Sequence, residues 1–98
     1  MTQDITGTAA VATAKASGYL QQLCKHFGHK IPVTFDAEAG EIVFPFGTCR
    51  LRAEDGALHL TAIAPDAERL AQLQDVIARH LLRFAFREDG MRVDWQAG

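Results

Sequence analysis

The chain has 98 residues, of which 48% are hydrophobic and 22% are charged, and its formal net charge is −2. This length and composition are typical of one globular domain with a single hydrophobic core. The weakly acidic balance argues against general nucleic-acid binding, which usually shows a basic excess. No apolar run is long enough to span a membrane.

The first residues carry no sign of a targeting segment. They are polar and contain neither the basic stretch nor the apolar stretch of a signal peptide. We therefore expect residues 1–7 to form a disordered tail, residues 8–98 to form one domain, and the protein to be bacterial and cytoplasmic. In that reducing compartment, Cys24 and Cys49 are expected to remain free thiols.

The sequence pattern then predicts a short strand over residues 8–13 and a helix over residues 14–27. Thr13 suits the N-cap of this helix, and Gly28 suits its end. Its apolar stripe, at helical spacing, consists of Ala16, Leu20, Leu23, Cys24 and Phe27.

Two tight turns organise the middle of the chain into an antiparallel meander. Asp55-Gly56 is typical of a type I′ turn, which sets Leu51 opposite Leu60. Gly47-Thr48 fits a type II′ turn, with glycine first, and this turn sets Phe44 opposite Leu51.

A looser connection over residues 37–40 sets Phe35 opposite Ile42. Since successive strand residues point to opposite faces, the meander sorts into an apolar face and a mixed face. The apolar face collects Val33, Phe35, Ile42, Phe44, Phe46, Cys49, Leu51, Leu58, Leu60 and Ala62. The mixed face, which we call the open face, collects Glu41, Val43, Pro45, Arg50, Arg52, Glu54, His59, Thr61 and Ile63.

A second helix is predicted from Pro65 to about Phe86, with Asp66 and Glu68 at its positive end. Its buried stripe consists of Leu70, Leu73, Ile77, Leu81 and Phe84. Residues 91–95 alternate as a last strand. The order β-α-β-β-β-β-α-β, with one apolar face on each element, favours an α+β two-layer sandwich: a mostly antiparallel sheet with both helices on one face.

One cysteine and two histidines lie close together at the end of the first predicted helix. Cys24 and His26 are about 200° apart around a helix and cannot share an ion there. His26 and His29 can share a transition-metal ion if the helix reaches His29, with His80 or a carboxylate as a third ligand. The alternative is a helix end at which cationic side chains favour the dipole.

Two basic groups are candidate anion sites. His80, Arg83 and Arg87 follow one side of the second predicted helix, near Arg79, and suit a carboxylate or phosphate; the alternative is a solvated flank paired with nearby acids. The second group, on the open face, consists of Arg50, Arg52 and His59. Apolar residues lie beside this basic group, so a contact with another protein is an equally good interpretation.

Cys24 and Cys49 both point toward the predicted core. They are either a redox pair or two small buried thiols, and neither belongs to a Cys-X-X-Cys motif. No nucleophile triad or glycine-rich phosphate loop occurs in the chain, so we expect a protein that is not an enzyme.

Several segments together resemble the domain of unknown function 2218 family of small bacterial proteins. They are Tyr19 to Lys30, Phe35-Asp36, Phe44 to Leu51, His80 to Glu88 and Asp94-Trp95. The resemblance spans about residues 8–95 and implies no catalytic residues. It implies an association with siderophore-interacting reductases, to which such domains are sometimes fused, and hence a role in iron or siderophore handling.

Three functions remain from the sequence. The first is a non-enzymatic accessory module that uses His26, His29, His80, Arg83 and Arg87 toward a metal ion or a ferric chelate, with a siderophore-interacting reductase as partner. The second is a structural domain that forms a homodimer through the open face. The third is a cysteine-dependent redox protein. No nucleic-acid or membrane partner is expected.

Overall fold

The computed structural model describes residues 4–98 of the chain. It contains β1 (Ile5–Ala12), α1 (Ala16–Phe27), β2 (Val33–Phe35), β3 (Ala39–Phe44), β4 (Gly47–Glu54), β5 (Ala57–Ala64), α2 (Ala67–Phe84) and β6 (Gln96–Ala97). The strands form one antiparallel six-stranded sheet in the order β2-β3-β4-β5-β1-β6. The predicted α+β architecture is therefore confirmed.

Both helices cover the same face of the sheet. α1 contacts β2, β3, β4 and β5, whereas α2 contacts β1, β4 and β5. The apolar stripes of both helices pack against the apolar face of the sheet and form a buried core. Its largest fully buried side chains are Leu20, Leu23, Ile42, Leu58, Leu60, Leu73, Ile77 and Leu81. No helix of residues 4–98 covers the opposite face of the sheet.

The β4–β5 hairpin has the predicted register. Leu51 lies opposite Leu60, and Asp55 and Gly56 both take positive φ. Positive φ at both central positions is what a type I′ turn requires.

The β3–β4 hairpin turns two residues earlier than predicted. Phe44 pairs with Gly47, so the turn contains Pro45 and Phe46 rather than Gly47-Thr48. Proline presets φ for a tight turn and cannot donate to a strand ladder. Because the register changes by an even number of residues, every side chain keeps its predicted face.

The β2–β3 connection is also displaced by an even number. Val33 pairs with Ile42, and Phe35 pairs with Gly40. The Asp36 carboxylate starts the turn by accepting the backbone N–H groups of Glu38 and Ala39 at 2.8 and 2.9 Å. Such a local bond stabilises a turn at aspartate.

Four boundaries differ from the prediction. β1 starts at Ile5, so residues 5–7 pair with β5 instead of belonging to a tail, while residues 1–3 lie outside the described residues. α1 starts at Ala16 and α2 ends at Phe84. Residues 91–95 form no strand; the only pairing at this end of the described chain joins Gln96–Ala97 to β1.

Within residues 4–98, no helix is long and apolar enough to cross a lipid bilayer.

Candidate functional site

Two helices bring His26 and His80 together. His26 lies in the last turn of α1, His80 lies on α2, and their ring centroids are 5.0 Å apart. The sequence placed these residues in one candidate ligand set, and the packing of α1 against α2 explains why they meet. We call His26, His80 and Arg83 the imidazole–guanidinium cluster.

Phenylalanine rings support the two imidazoles. His26 contacts the rings of Phe27 and Phe84 at centroid distances of 4.9 and 5.6 Å, and Phe27 also lies 4.9 Å from His80. Phe44 packs behind Phe27 at 5.0 Å. His26 is exposed and His80 is partly buried, so these rings cover one side of each imidazole and leave the other accessible.

A backbone carbonyl orients His80. Its Nδ1 lies 2.7 Å from the oxygen of Val76, so Nδ1 carries the proton and donates it to that carbonyl. The Nε2 side of the ring is then the side left for a ligand. His80 also lines a groove of about 250 Å³, together with Arg79 and Arg83.

The charges around His26 are all of one sign. Desolvation among the neighbouring rings lowers the pKa of His26, and the charges that lower it further belong to His80, His29, Arg83 and Lys30. No carboxylate of residues 4–98 contributes to this shift.

The two arginines of the groove differ in their partners. Arg79 forms a salt bridge of 2.9 Å with Asp75, one helical turn away. Arg83 has no salt bridge to any described residue. Arg83 is therefore the guanidinium most available to an anionic ligand.

The other residues predicted for the ligand set, His29 and Arg87, lie outside the imidazole–guanidinium cluster. His29 lies beyond Gly28, is exposed, and contributes charge rather than a contact between rings. Arg87 lies beyond the end of α2, because the helix stops at Phe84, and its guanidinium lies 5.4 Å from the centre of the Phe86 ring.

The metal prediction for His26 and His29 has no closed ligand set in the described part of the chain. No three histidine, cysteine, aspartate or glutamate side chains among residues 4–98 are placed to hold one ion. A site of lower coordination would depend on ligands that arrive with the metal.

Cys24 and Cys49 are both buried free thiols. Burial raises the pKa of Cys24 to about 11, and burial together with the neighbouring Cys24 raises the pKa of Cys49. Because the thiolate is the reactive species, both sulfurs behave chemically as small core side chains.

The basic group of the open face lines a cavity. Arg50, Arg52 and His59 lie on neighbouring strands β4 and β5, around a concave volume of about 710 Å³. Arg50 pairs with Glu41 at 3.2 Å. The cavity and the imidazole–guanidinium cluster lie on opposite sides of the sheet.

A polar contact that the sequence did not reveal joins the two ends of the fold. Glu88 accepts hydrogen bonds from the Thr13 hydroxyl at 3.0 and 3.1 Å and from the Tyr19 hydroxyl. The bond to Glu88 is the main cause of a raised pKa at Tyr19. The prediction of Thr13 as the N-cap is wrong, because α1 starts at Ala16 with Lys15 at the N-cap position and no side-chain cap bond; the Thr13 hydroxyl instead accepts the backbone N–H of Lys15 at 3.1 Å. No local pattern predicts its long-range partner.

The chain was compared with known families and structures. A family described as an uncharacterized protein conserved in bacteria, DUF2218, matches residues 8–96. The chain belongs to this family. A solution structure of PA4090 from Pseudomonas aeruginosa is 36% identical, with a TM-score of 0.79, over 94% of this chain and 95% of that chain. No curated protein gives a significant match. The family resemblance found in the sequence is thereby confirmed, and the similar solution structure supports the α+β fold of this chain.

Proposed function

We propose that this DUF2218 protein is a cytoplasmic, non-enzymatic binding module that takes an anionic ligand at the imidazole–guanidinium cluster. One observation carries the proposal: two imidazoles 5.0 Å apart lie beside a guanidinium that has no carboxylate partner among the described residues. Exposed arginines usually pair with acids or face water, and Arg83 lies beside polar imidazoles without a salt bridge to any described residue, so this place favours an external anion.

The local chemistry suits an oxyanion. Arginine offers parallel N–H donors to two oxygens, and His80, oriented by its bond to the carbonyl of Val76, adds an Nε2–H donor when its ring is in the imidazolium form. Hydrogen bonds that involve charged groups contribute about 1.5–3 kcal/mol each. Two such bonds together contribute about 3–6 kcal/mol, which sets an upper limit on the affinity for a small anion of roughly 10⁻² to 10⁻⁴ M before the entropy of association is subtracted.

Within this class, we propose a ferric chelate of the siderophore type as the physiological ligand. Such a chelate supplies its own metal ligands and presents anionic oxygens at its surface. It therefore needs donors from the protein rather than a closed set of metal ligands. A siderophore-interacting reductase, implied by the family resemblance, is the partner we propose for handing on the chelate.

Isothermal titration calorimetry with inorganic phosphate, and separately with a gallium tris-catecholate, tests the proposal. The wild type is expected to bind both. His80→Ala and Arg83→Gln are each expected to weaken binding by about tenfold, the loss of one charge-assisted bond. His26→Ala is expected to weaken it as well, and circular dichroism is expected to remain unchanged in all three variants.

Arg69→Gln is the matched control, because Arg69 is an exposed arginine of the same helix that already pairs with Asp66. Its affinity should equal that of the wild type. Equal affinity in Arg69→Gln, Arg83→Gln and His80→Ala would reject the site. Binding of phosphate without the catecholate would retain the site and reject the ferric chelate.

A homodimer through the open face is a second candidate. Val43 is 40% exposed there, in the same cross-strand row as Thr48 and Ile63. Light scattering at increasing concentration should then show a dimer that Val43→Asp and Ile63→Asp convert to monomer. A wild type that remains monomeric would end this candidate.

A further inference from the structure

The open face of the sheet contains a second place suited to a ligand, independent of the imidazole–guanidinium cluster. A cavity of about 710 Å³ lies over β2 to β5, on the side without helices. Small-molecule sites in proteins usually measure about 300–1,000 Å³. The seven polar side chains that line it are Thr34, Asp36, Glu41, Arg50, Arg52, His59 and Thr61.

Strand register arranges these side chains in two rows. One row runs across the sheet from Thr34 through Glu41 and Arg50 to Thr61. The neighbouring row runs from Ala39 through Arg52 to His59. Cross-strand neighbours on one face lie about 4.5–5.5 Å apart, so each row forms one continuous surface.

Acidic and basic groups lie on different sides of the cavity. The acids belong to β3 and the turn before it, namely Glu41 and Asp36, whereas the bases belong to β4 and β5. Two backbone N–H groups hold the pKa of Asp36 below its ordinary value, so this carboxylate stays ionised. A ligand that fits must therefore carry groups of opposite character at its two ends.

Arg52 and His59 form the end that is open to an anion. They face each other directly, and the other neighbour of Arg52 in the row is the small Ala39, which leaves space beside the guanidinium. Glu54 approaches Arg52 only to 3.7 Å, between side chains that are 64% and 51% exposed. Such exposed pairs contribute little and yield readily to a better partner.

We infer that this cavity binds a small amino or hydroxy carboxylic acid. Its carboxylate lies between Arg52 and His59, and its ammonium or hydroxyl groups donate to Glu41 and Asp36. The hydroxyls of Thr34 and Thr61 form hydrogen bonds with polar groups of the ligand between its two ends. Arg50 is already engaged with Glu41 at 3.2 Å and orients that carboxylate toward the ligand.

Saturation-transfer difference NMR with L-glutamate, L-lysine, malate and citrate identifies which of these probes binds. Amide chemical shifts of labelled protein then locate the site. At least one probe is expected to bind with perturbed amides on β3, β4 and β5. Arg52→Gln and His59→Gln should each weaken that probe by about tenfold, as the loss of a charge-assisted bond implies.

Two controls separate this site from others. The fully methyl-esterified form of the bound probe should lose most of the affinity, because it carries no charged carboxylate. Arg83→Gln should leave this affinity unchanged while it weakens phosphate at the imidazole–guanidinium cluster, so either site can fail without the other.

Three results would overturn the inference. They are the absence of saturation transfer from every probe, equal affinity for acid and ester, and perturbed amides confined to α1 and α2. Light scattering that shows a dimer, with Arg52→Gln abolishing it, would assign the cavity to a second copy of the chain instead.

Discussion

At Gly40 the side chains of α1 pack tightly against the sheet, and this makes Gly40→Ala a sharp test of the packing. A Cβ at this position would lie 2.8 Å from the Cys24 sulfur, 3.1 Å from the Phe35 Cβ and 3.3 Å from the Leu20 Cδ2. A carbon–sulfur contact of 2.8 Å is far inside the usual separation, and Cys24 is wholly buried, so the sulfur has little room to retreat.

The expected cost follows from overpacking. Adding a methyl group to a well-packed core typically destabilises by about 1–3 kcal/mol. Three short contacts place Gly40→Ala in the upper half of that range, at roughly 2–3 kcal/mol. Glycine is therefore required at position 40 because its neighbours leave no space for a Cβ, and its backbone φ is not in the left-handed region.

A double-mutant cycle with Cys24→Ala isolates the cause. Cys24→Ala alone removes a buried sulfur and should cost about 1 kcal/mol. In the double variant the new methyl group occupies the vacated space, so we expect a coupling of about 1 kcal/mol or more in favour of the pair. Urea unfolding followed by circular dichroism measures all four proteins. A Gly40→Ala cost within 0.5 kcal/mol of zero, or strict additivity, would refute this account of the packing.

Three further predictions concern polar and titratable groups. Tyr19→Phe and Glu88→Gln should each lower the free energy of unfolding by about 1–2 kcal/mol and show coupling in a double-mutant cycle, since both remove the same charge-assisted bond; additive losses would contradict a direct bond. The thiols of Cys24 and Cys49 should react with a disulfide reagent only as fast as the protein unfolds, and rapid reaction under native conditions would disprove their burial. Asp66 caps α2, and its pKa in the folded protein is lowered from the ordinary value of 3.8. The stabilisation by the ionised cap is therefore complete above pH 3.8 and is lost as the pH falls through the lower pKa of the folded state. Asp66→Asn should reduce this loss of stability at acid pH, as measured by urea unfolding at a series of pH values.

The faces of the strands could be predicted from the sequence, whereas the exact pairing could not. Alternation fixes which side chains share a face, and it is insensitive to a register change of two or four residues. Gly47 shows how the turn was misplaced. A Cβ there would lie 2.6 Å from the Ile63 carbonyl oxygen and 3.0 Å from the Leu73 Cδ2. The glycine is required by close packing, although in the sequence it resembles a turn residue.

The candidate site was partly predictable for a similar reason. Helical spacing placed His26 near the end of α1 and His80 near Arg83, and the apolar stripes turned both helices toward one sheet face. How closely α1 passes α2 depends on tertiary packing, so the sequence left the contact between His26 and His80 open. The bond of Glu88 to Thr13 and Tyr19 joins residues 75 and 69 positions apart, and no local pattern encodes it.

The most direct test of the proposed anion site is an amide and side-chain NMR map of the wild type titrated with inorganic phosphate against sodium chloride at equal ionic strength. The account predicts saturable shifts in the ring signals of His26 and His80 and in the side-chain Nε–H of Arg83. Shifts that do not saturate, that chloride reproduces, or that leave these three residues unaffected would contradict it.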